Sequence, residues 1–268
     1  MRIDSRSFTA DDFLGSLRVQ LRVLYALMIR EAMSRYGHTN LGFFWLMGDQ
    51  LLLTAGVMVM WSITGAENHG DIGVVPMALT GYAFVQMWRH IVSHAIHAIS
   101  HNSHLLYHQN VRVLDLLLAN SLLELVGIVS AFLIAYIPLA LYGAVPVLHD
   151  PLLTLGGFVL TAWFSFAFGL NITAITELSE AASRFVQPVL YITLPFTGLF
   201  YLVYWLPDPY QALILWSPLV NCIEMIRGGM FPDYITTYSY PLYAVLWCIA
   251  LTAIGVPLVQ YAQRHGHG

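Results

Sequence analysis

Residues 113–142 read VLDLLLANSLLELVGIVSAFLIAYIPLALY, thirty consecutive positions with two acids, Asp115 and Glu124, and no Arg. A helix rises about 1.5 Å per residue, so this stretch reaches roughly 45 Å, more than the roughly 30 Å hydrocarbon core of a bilayer. It reads as a membrane-spanning helix that tilts. Working outward, other apolar stretches run from about Leu41 to Ile63, Ile72 to Ile91, Leu152 to Ala174, Pro188 to Trp205 and Pro241 to Tyr261. Polar or proline-bearing breaks separate them, among them Glu67-Asn68-His69-Gly70-Asp71 and the run from Pro146 to Pro151. The composition agrees: 58% of the 268 residues are hydrophobic and only 10% charged, where soluble domains carry about a quarter charged. Mean hydropathy is +0.67.

Between the last two spans, Pro207, Pro209, Pro218 and Pro232 interrupt residues 206–240, which predicts short broken helices rather than a crossing. Ahead of the first span, residues 13 to 36 read as an amphipathic helix. Leu17, Leu21, Leu24 and Met28 recur at helical spacing, with Arg18, Arg22, Arg30 and Arg35 elsewhere around it. Such a helix lies on a membrane surface, its leucines in the acyl boundary and its arginines against anionic lipid. The expected fold is therefore an all-α integral membrane protein with six transmembrane helices, an N-terminal amphipathic interfacial helix and broken re-entrant or gating helices before the last span. Residues 1–40 form the N-terminal segment, 41–261 the transmembrane domain and 262–268 a tail. The domain includes an internal loop at about 93–112 and an external region at about 206–240.

Arginine placement orients the bundle, because Arg in short flanking loops stays cytoplasmic. Six Arg precede the first span; with the N-terminus inside, Arg89, Arg112, Arg184 and Arg264 also fall inside, and only Arg227 falls outside. Both termini are expected in the cytoplasm of a bacterial inner membrane. The first dozen residues stay polar up to Asp12, so no removable signal peptide is expected.

Several function classes are excluded. The chain has 11 Arg and no Lys, and neither a G-x-x-x-x-G-K-[ST] nor a G-x-G-x-x-G string, so energy from nucleotide has to come from another polypeptide. No basic cluster suits nucleic acid. Cys222 and Cys248 lie far apart within or beside apolar segments and read as packing residues. His90, His94, His97, His101, His104 and His108 recur at intervals of 4, 3, 4, 3 and 4. On a continuous helix they share an arc of roughly 80°. Zinc or a pH sensor is the sharp reading. No Cys or acid joins the stripe to complete a ligand set, which favours a polar face toward water, a cavity or a dimer partner, and no metal.

The string Asn102-Ser103-His104-Leu105-Leu106-Tyr107-His108-Gln109-Asn110-Val111-Arg112-Val113-Leu114-Asp115, followed by Leu122-Leu123-Glu124, resembles the permease subunits of ABC transporters that export capsular polysaccharide. Those carry a similar N-x-x-L-L-x-x-x-x-V-x-x-L-D string and a later L-L-E. Leu27-Met28-Ile29-Arg30-Glu31, Leu41-Gly42-Phe43-Phe44-Trp45 and Ile223-Glu224-Met225-Ile226-Arg227-Gly228-Gly229-Met230-Phe231 extend the resemblance over nearly the whole chain. One position departs: the family often has an acid followed by proline in the first span, and here Asp49 precedes Gln50.

The resemblance implies a homodimer of six-span subunits, each meeting an ATP-hydrolysing subunit through a loop helix around Asn102 to Asn110. Asn102, Leu105, Leu106, Tyr107, Val111 and Asp115 are the coupling candidates. ATP and Mg would be held by that partner and no cofactor by this chain. The substrate implied is a lipid-linked acidic polysaccharide, with a periplasmic co-polymerase and an outer-membrane exporter as further partners.

Among ionisable residues in apolar segments, Asp49, Arg89, Asp115, Glu124 and Glu177 are expected at helix interfaces or a wet pathway, since a charge in hydrocarbon costs at least about 2.5–3.5 kcal/mol. Glu224 and Arg227, three apart on a short helix, suit an ion pair bracing the external gate; Arg227 could alternatively meet an anionic sugar or phosphate. Tyr204 and Trp205 read as interface-belt aromatics, and Tyr82, Trp88, Tyr191 and Phe196 as channel lining. Rival readings are export of O-antigen or teichoic acid by the same architecture, a membrane-embedded transferase using the histidine stripe, and a proton-coupled transporter using Asp49 or Glu124.

Overall fold

The computed structural model describes residues 10–36, 41–63, 72–103, 112–231 and 235–265. Its helices are α1 (Ala10–Tyr36), α2 (Leu41–Ile63), α3 (Val74–Ala95), α4 (Ala98–His101), α5 (Val113–Leu141), α6 (Pro151–Leu178), α7 (Glu180–Ile192), α8 (Asp208–Ile214), α9 (Pro218–Met230) and α10 (Pro241–His265). Two 3-10 turns, Leu194–Thr197 and Val203–Trp205, lie between α7 and α8. No strand occurs among the described residues. Among the described residues three helices, α5, α6 and α10, are long and apolar enough to cross a membrane.

The helix α6 is central and packs against α3, α5, α9 and α10. Its start is written locally: Pro151 occupies the first turn, where a missing N–H is harmless, and the Asp150 carboxylate accepts from the backbone of Leu152 (2.9 Å) and Leu153 (3.0 Å). The α6–α9 crossing is built on glycine. A Cβ at Gly229 would stand 2.5 Å from the Asp150 carbonyl oxygen, and one at Gly157 2.9 Å from the Ile226 nitrogen. Small residues let backbones approach where lipid leaves no hydrophobic drive between helices.

Along α1 the leucine stripe divides. Leu24 and Leu27 bury against Ala119 of α5, with Met28 packed on them, whereas Leu17 and Leu21 stay exposed along with Tyr25, Ile29 and Met33. Polar Gln20, Glu31 and Arg35 find partners on α5 or within α1.

Two expectations are corrected. First, the fifth segment is not one helix from Pro188 to Trp205. The helix α7 spans 13 residues and ends at Ile192, with 3-10 turns and Gly198 at φ +80 beyond it. Pro195 removes an amide that a continuing helix would need, and glycine adopts the left-handed turn without strain. Tyr204 and Trp205, beyond it, are half-buried against the core.

Second, the histidine stripe does not ride one helix. The helix α3 stops at Ala95, Ile96 and His97 form a turn, and α4 starts at Ala98. His97 sits at φ 52, the one non-glycine with positive φ among the described residues. A residue held there costs roughly 1–3 kcal/mol and persists only where its surroundings impose it.

Candidate functional site

Two polar assemblies stand at opposite ends of the bundle. At the end bearing Arg30, Arg35 and Arg112, the Glu124 carboxylate of α5 is 1% exposed and ringed by other helices. Arg35 of α1 donates to it at 2.5 Å, and His90 Nδ1 of α3 lies 3.4 Å away. The same guanidinium bonds Glu31 at 2.9 Å and Asn120. Gln50 of α2 completes the set through His90, 3.1 Å away. Glu124 thus pins α1, α3 and α5 together, the interface role expected of a carboxylate in an apolar helix. Asp115 accepts from the Arg112 backbone at 3.2 Å, capping its own helix, and from Gln20. Both acids of α5, which helical spacing sets on different sides, are therefore reached from α1 by long side chains. Beside them lies a cavity of about 240 Å³ lined by Arg30, Glu31, Ser34, His94, His101 and Asn120, among others.

At this end the α3–α4 break is stitched to α6. Thr173 donates to the Ala95 carbonyl (2.8 Å), and the His97 N–H donates to Thr176 (3.3 Å). Glu177 accepts from the amides of Ile99 (3.1 Å) and Ser100 (3.0 Å) and from the Ser100 hydroxyl (3.3 Å). These bonds satisfy backbone groups that the interrupted helix leaves open. Sequence reading placed Glu177 at an interface without finding this role. The available signal was the Thr173, Thr176, Glu177 spacing, one helical face carrying three hydrogen-bonding side chains.

At the far end Arg227 of α9 is the largest fully buried side chain. Its ion pair with Glu224 spans 3.7 Å. Most of its hydrogen bonds go elsewhere: to the carbonyls of Gly198 (2.8 Å), Tyr201 (2.6 Å) and Leu199 (3.0 Å), and weakly to Thr80 (3.4 Å). Glu224 accepts from the amides of Val203 (3.4 Å) and Tyr238 (3.1 Å). The pair therefore pays the hydrogen-bonding needs of irregular backbone on either side, the condition for such backbone inside a bundle at membrane depth. At 0% exposure Arg227 has no face left for an anionic sugar.

The remaining sequence-selected residues divide. Leu105, Leu106, Tyr107 and Val111, with His104 and His108, lie outside the described residues, as does the Asp49 side chain. Asn102 caps α4 through the Ala98 carbonyl (3.0 Å) and accepts from Arg30 (3.0 Å). Asp115, 7% exposed, caps α5 and takes a hydrogen bond from Gln20 of α1. Trp88 is 3% exposed, packed in the core. Tyr82 is half-buried, edge-on to Trp61. Tyr191, 54% exposed, accepts from Arg89 at 2.6 Å, and Phe196 is 60% exposed. Among the described residues no three His, Cys, Asp or Glu side chains converge as a metal site would require.

Residues 22–231, from the middle of α1 to the end of α9, match the model of the ABC-2 type transporter family. The chain belongs to that family. The resemblance read from the motifs is thereby borne out. The chain is 38% identical over 247 residues to the capsule polysaccharide export inner-membrane protein CtrC of Neisseria meningitidis serogroup A, covering 92% of this chain and 93% of that one. It is 36% identical over 248 residues to the capsule polysaccharide export inner-membrane protein BexB of Haemophilus influenzae, covering 92% and 94%. The polysialic acid transport protein KpsM of Escherichia coli is 24% identical over 250 residues, covering 92% and 95%. Within the ABC-2 match lie the Glu124 cluster, the stitched break and the Glu224–Arg227 brace.

Proposed function

We propose that this ABC-2 chain is the membrane-spanning permease subunit of an ATP-driven exporter that moves lipid-linked capsular polysaccharide across the bacterial inner membrane. The observation that carries this reading is identity to capsule polysaccharide export inner-membrane proteins over 92% of the chain. The absence of any nucleotide-binding string from a sequence of this family supports a separate ATP-hydrolysing subunit, which holds ATP and Mg. Six crossings fit the helices: α2, α3, α5, α6 and α10 each supply one, and α7 with the turns after it supplies the fifth. Arginine asymmetry supports cytoplasmic termini, with residues 93–112 inside and 206–240 outside. The subunit works as a homodimer, the segment of residues 102–110 meets the ATPase, and the Glu224–Arg227 module frames the external gate. A periplasmic co-polymerase and an outer-membrane exporter would carry the polymer onward.

The test is expression of the full chain with its ATPase in a capsule-export-deficient host, scored for surface polysaccharide and for co-purification of the two subunits. Surface polymer appearing only with both, together with labelling of a cysteine at residue 103 from the cytoplasm alone, is the expected result. Labelling of that cysteine from the periplasm, or export independent of the ATPase, would refute the reading.

A further inference from the structure

A displacement of the segment after residue 97 is not passed straight along α3, because α3 ends at Ala95. Between Ala95 and Ala98 the chain turns through a left-handed His97, so α3 and α4 are not one continuous rod. The last turn of α6 grips both sides of the break, while Arg30 of α1 also reaches Asn102 beyond it. Thr173 holds the terminal carbonyl of α3, Thr176 holds the amide of His97, and Glu177 holds two consecutive amides and a hydroxyl of α4. Glu177 is only 4% exposed, so its bonds are made largely out of water. The helix α6 then runs unbroken for 28 residues to its other end. There the Asp150 amide donates to the Gly229 carbonyl at 2.7 Å, and Gly157 and Gly229 bring α9 into backbone contact. The helix α9 carries Glu224 and Arg227, which tie the irregular segments around 198–203 and 238. One rigid element thus connects the break to the brace.

We propose that α6 is the transmission strut of this permease and that Glu177 is the positioning residue through which motion of the coupling segment enters it. The inference rests on the permease reading above. A carboxylate gripping two amides moves with them, whereas the left-handed hinge lets α4 swing relative to α3. Displacement at the ATPase contact therefore reaches the α9 module along α6, by hydrogen bonds at one end and close glycine packing at the other.

The test uses the full chain assembled with its ATPase in lipid vesicles, with Glu177→Ala, Glu177→Gln and Thr176→Val as variants. Three quantities are read: ATPase capture, ATP hydrolysis and polymer transport per ATP hydrolysed. Glu177→Ala should keep capture and hydrolysis within about twofold while transport per ATP falls roughly tenfold, the size of effect that residues on a coupling route exert. Glu177→Gln keeps an oxygen able to accept from both amides and should restore most of the ratio; Thr176→Val should lie between. Hydrogen exchange gives an independent readout: the segment 96–103 should exchange about tenfold faster in Glu177→Ala with the rest of α6 unchanged. Transport per ATP unaltered in Glu177→Ala despite faster exchange would overturn the strut. So would loss of capture, hydrolysis and transport in equal proportion, with no rescue by glutamine. Failure of the unmodified chain to capture any ATPase would instead overturn the permease reading, and the strut with it.

Discussion

Replacing Arg227 with methionine separates a structural brace from a substrate contact. The guanidinium is completely buried and donates to three carbonyls that no helix satisfies, at Gly198, Leu199 and Tyr201, besides facing Glu224. Removing one partner of a buried ion pair costs roughly 3–5 kcal/mol. Each carbonyl left without a donor adds about 1–3 kcal/mol. Even with water entering to satisfy some of them, the loss is on the order of 5 kcal/mol, against roughly 5–15 kcal/mol for a whole fold. Arg227→Met should therefore fail to accumulate in the membrane or unfold on the order of 10 °C or more below the parent. Arg227→Lys keeps the charge but not the planar fork, and should lose about 2 kcal/mol. Adding Glu224→Gln to Arg227→Met should cost less than the two single changes predict, because the carboxylate's stranded charge is gone. The assay is thermal unfolding of the detergent-solubilised chain with membrane yield alongside. An Arg227→Met protein of unchanged yield and midpoint that fails only in export would refute the brace and place the arginine in the polymer's path.

Arg35→Met strands the Glu124 carboxylate among helices and should lower stability by roughly 3–5 kcal/mol, whereas Arg184→Ala breaks an exposed pair with Glu180 and should cost below about 1 kcal/mol; equal midpoints would argue against the α1–α5 anchor. Gly229→Ala drives a methyl into the Asp150 carbonyl and should cost about 1–3 kcal/mol, while Gly56→Ala, with nothing within 4 Å of the added carbon, should be neutral or stabilise by up to about 1 kcal/mol. Thermal midpoints distinguish the two. Leu105→Asp and Tyr107→Ala should weaken co-purification of the ATPase without altering membrane insertion, and undiminished capture would remove residues 102–110 from the contact.

What the chain shows to a reader of sequence follows physical periodicity. The span at 113–141 is continuous apolar sequence with a proline only near its end, so length alone identifies it; the structure ends α5 at Leu141. Asp150-Pro151 marks the start of α6 by capping chemistry, so the expected start near Leu152 falls within one residue of the observed one. The fifth segment failed because Pro188 and Pro195 are individually tolerable in apolar sequence. Only the position of the Arg227 guanidinium, 29 residues downstream of Gly198, explains how the open carbonyls are afforded. The histidine stripe failed similarly: spacing presumes an unbroken helix, and the break at His97 is imposed by Thr176 and Glu177 from another helix.

Sequence by itself determined that this is an all-helical membrane chain without a nucleotide site, that its arginines cluster at one end, and that its motifs belong with capsule-export permeases. These are properties of local composition and order, which a bilayer and a helix read directly. Tertiary structure alone decided which partners meet across helices, Arg35 with Glu124 and Arg227 with the carbonyls of Gly198, Leu199 and Tyr201, and which helix holds the segment after the α3–α4 break. Such pairings join residues that are tens of positions apart, and nothing in the local pattern of either partner names the other.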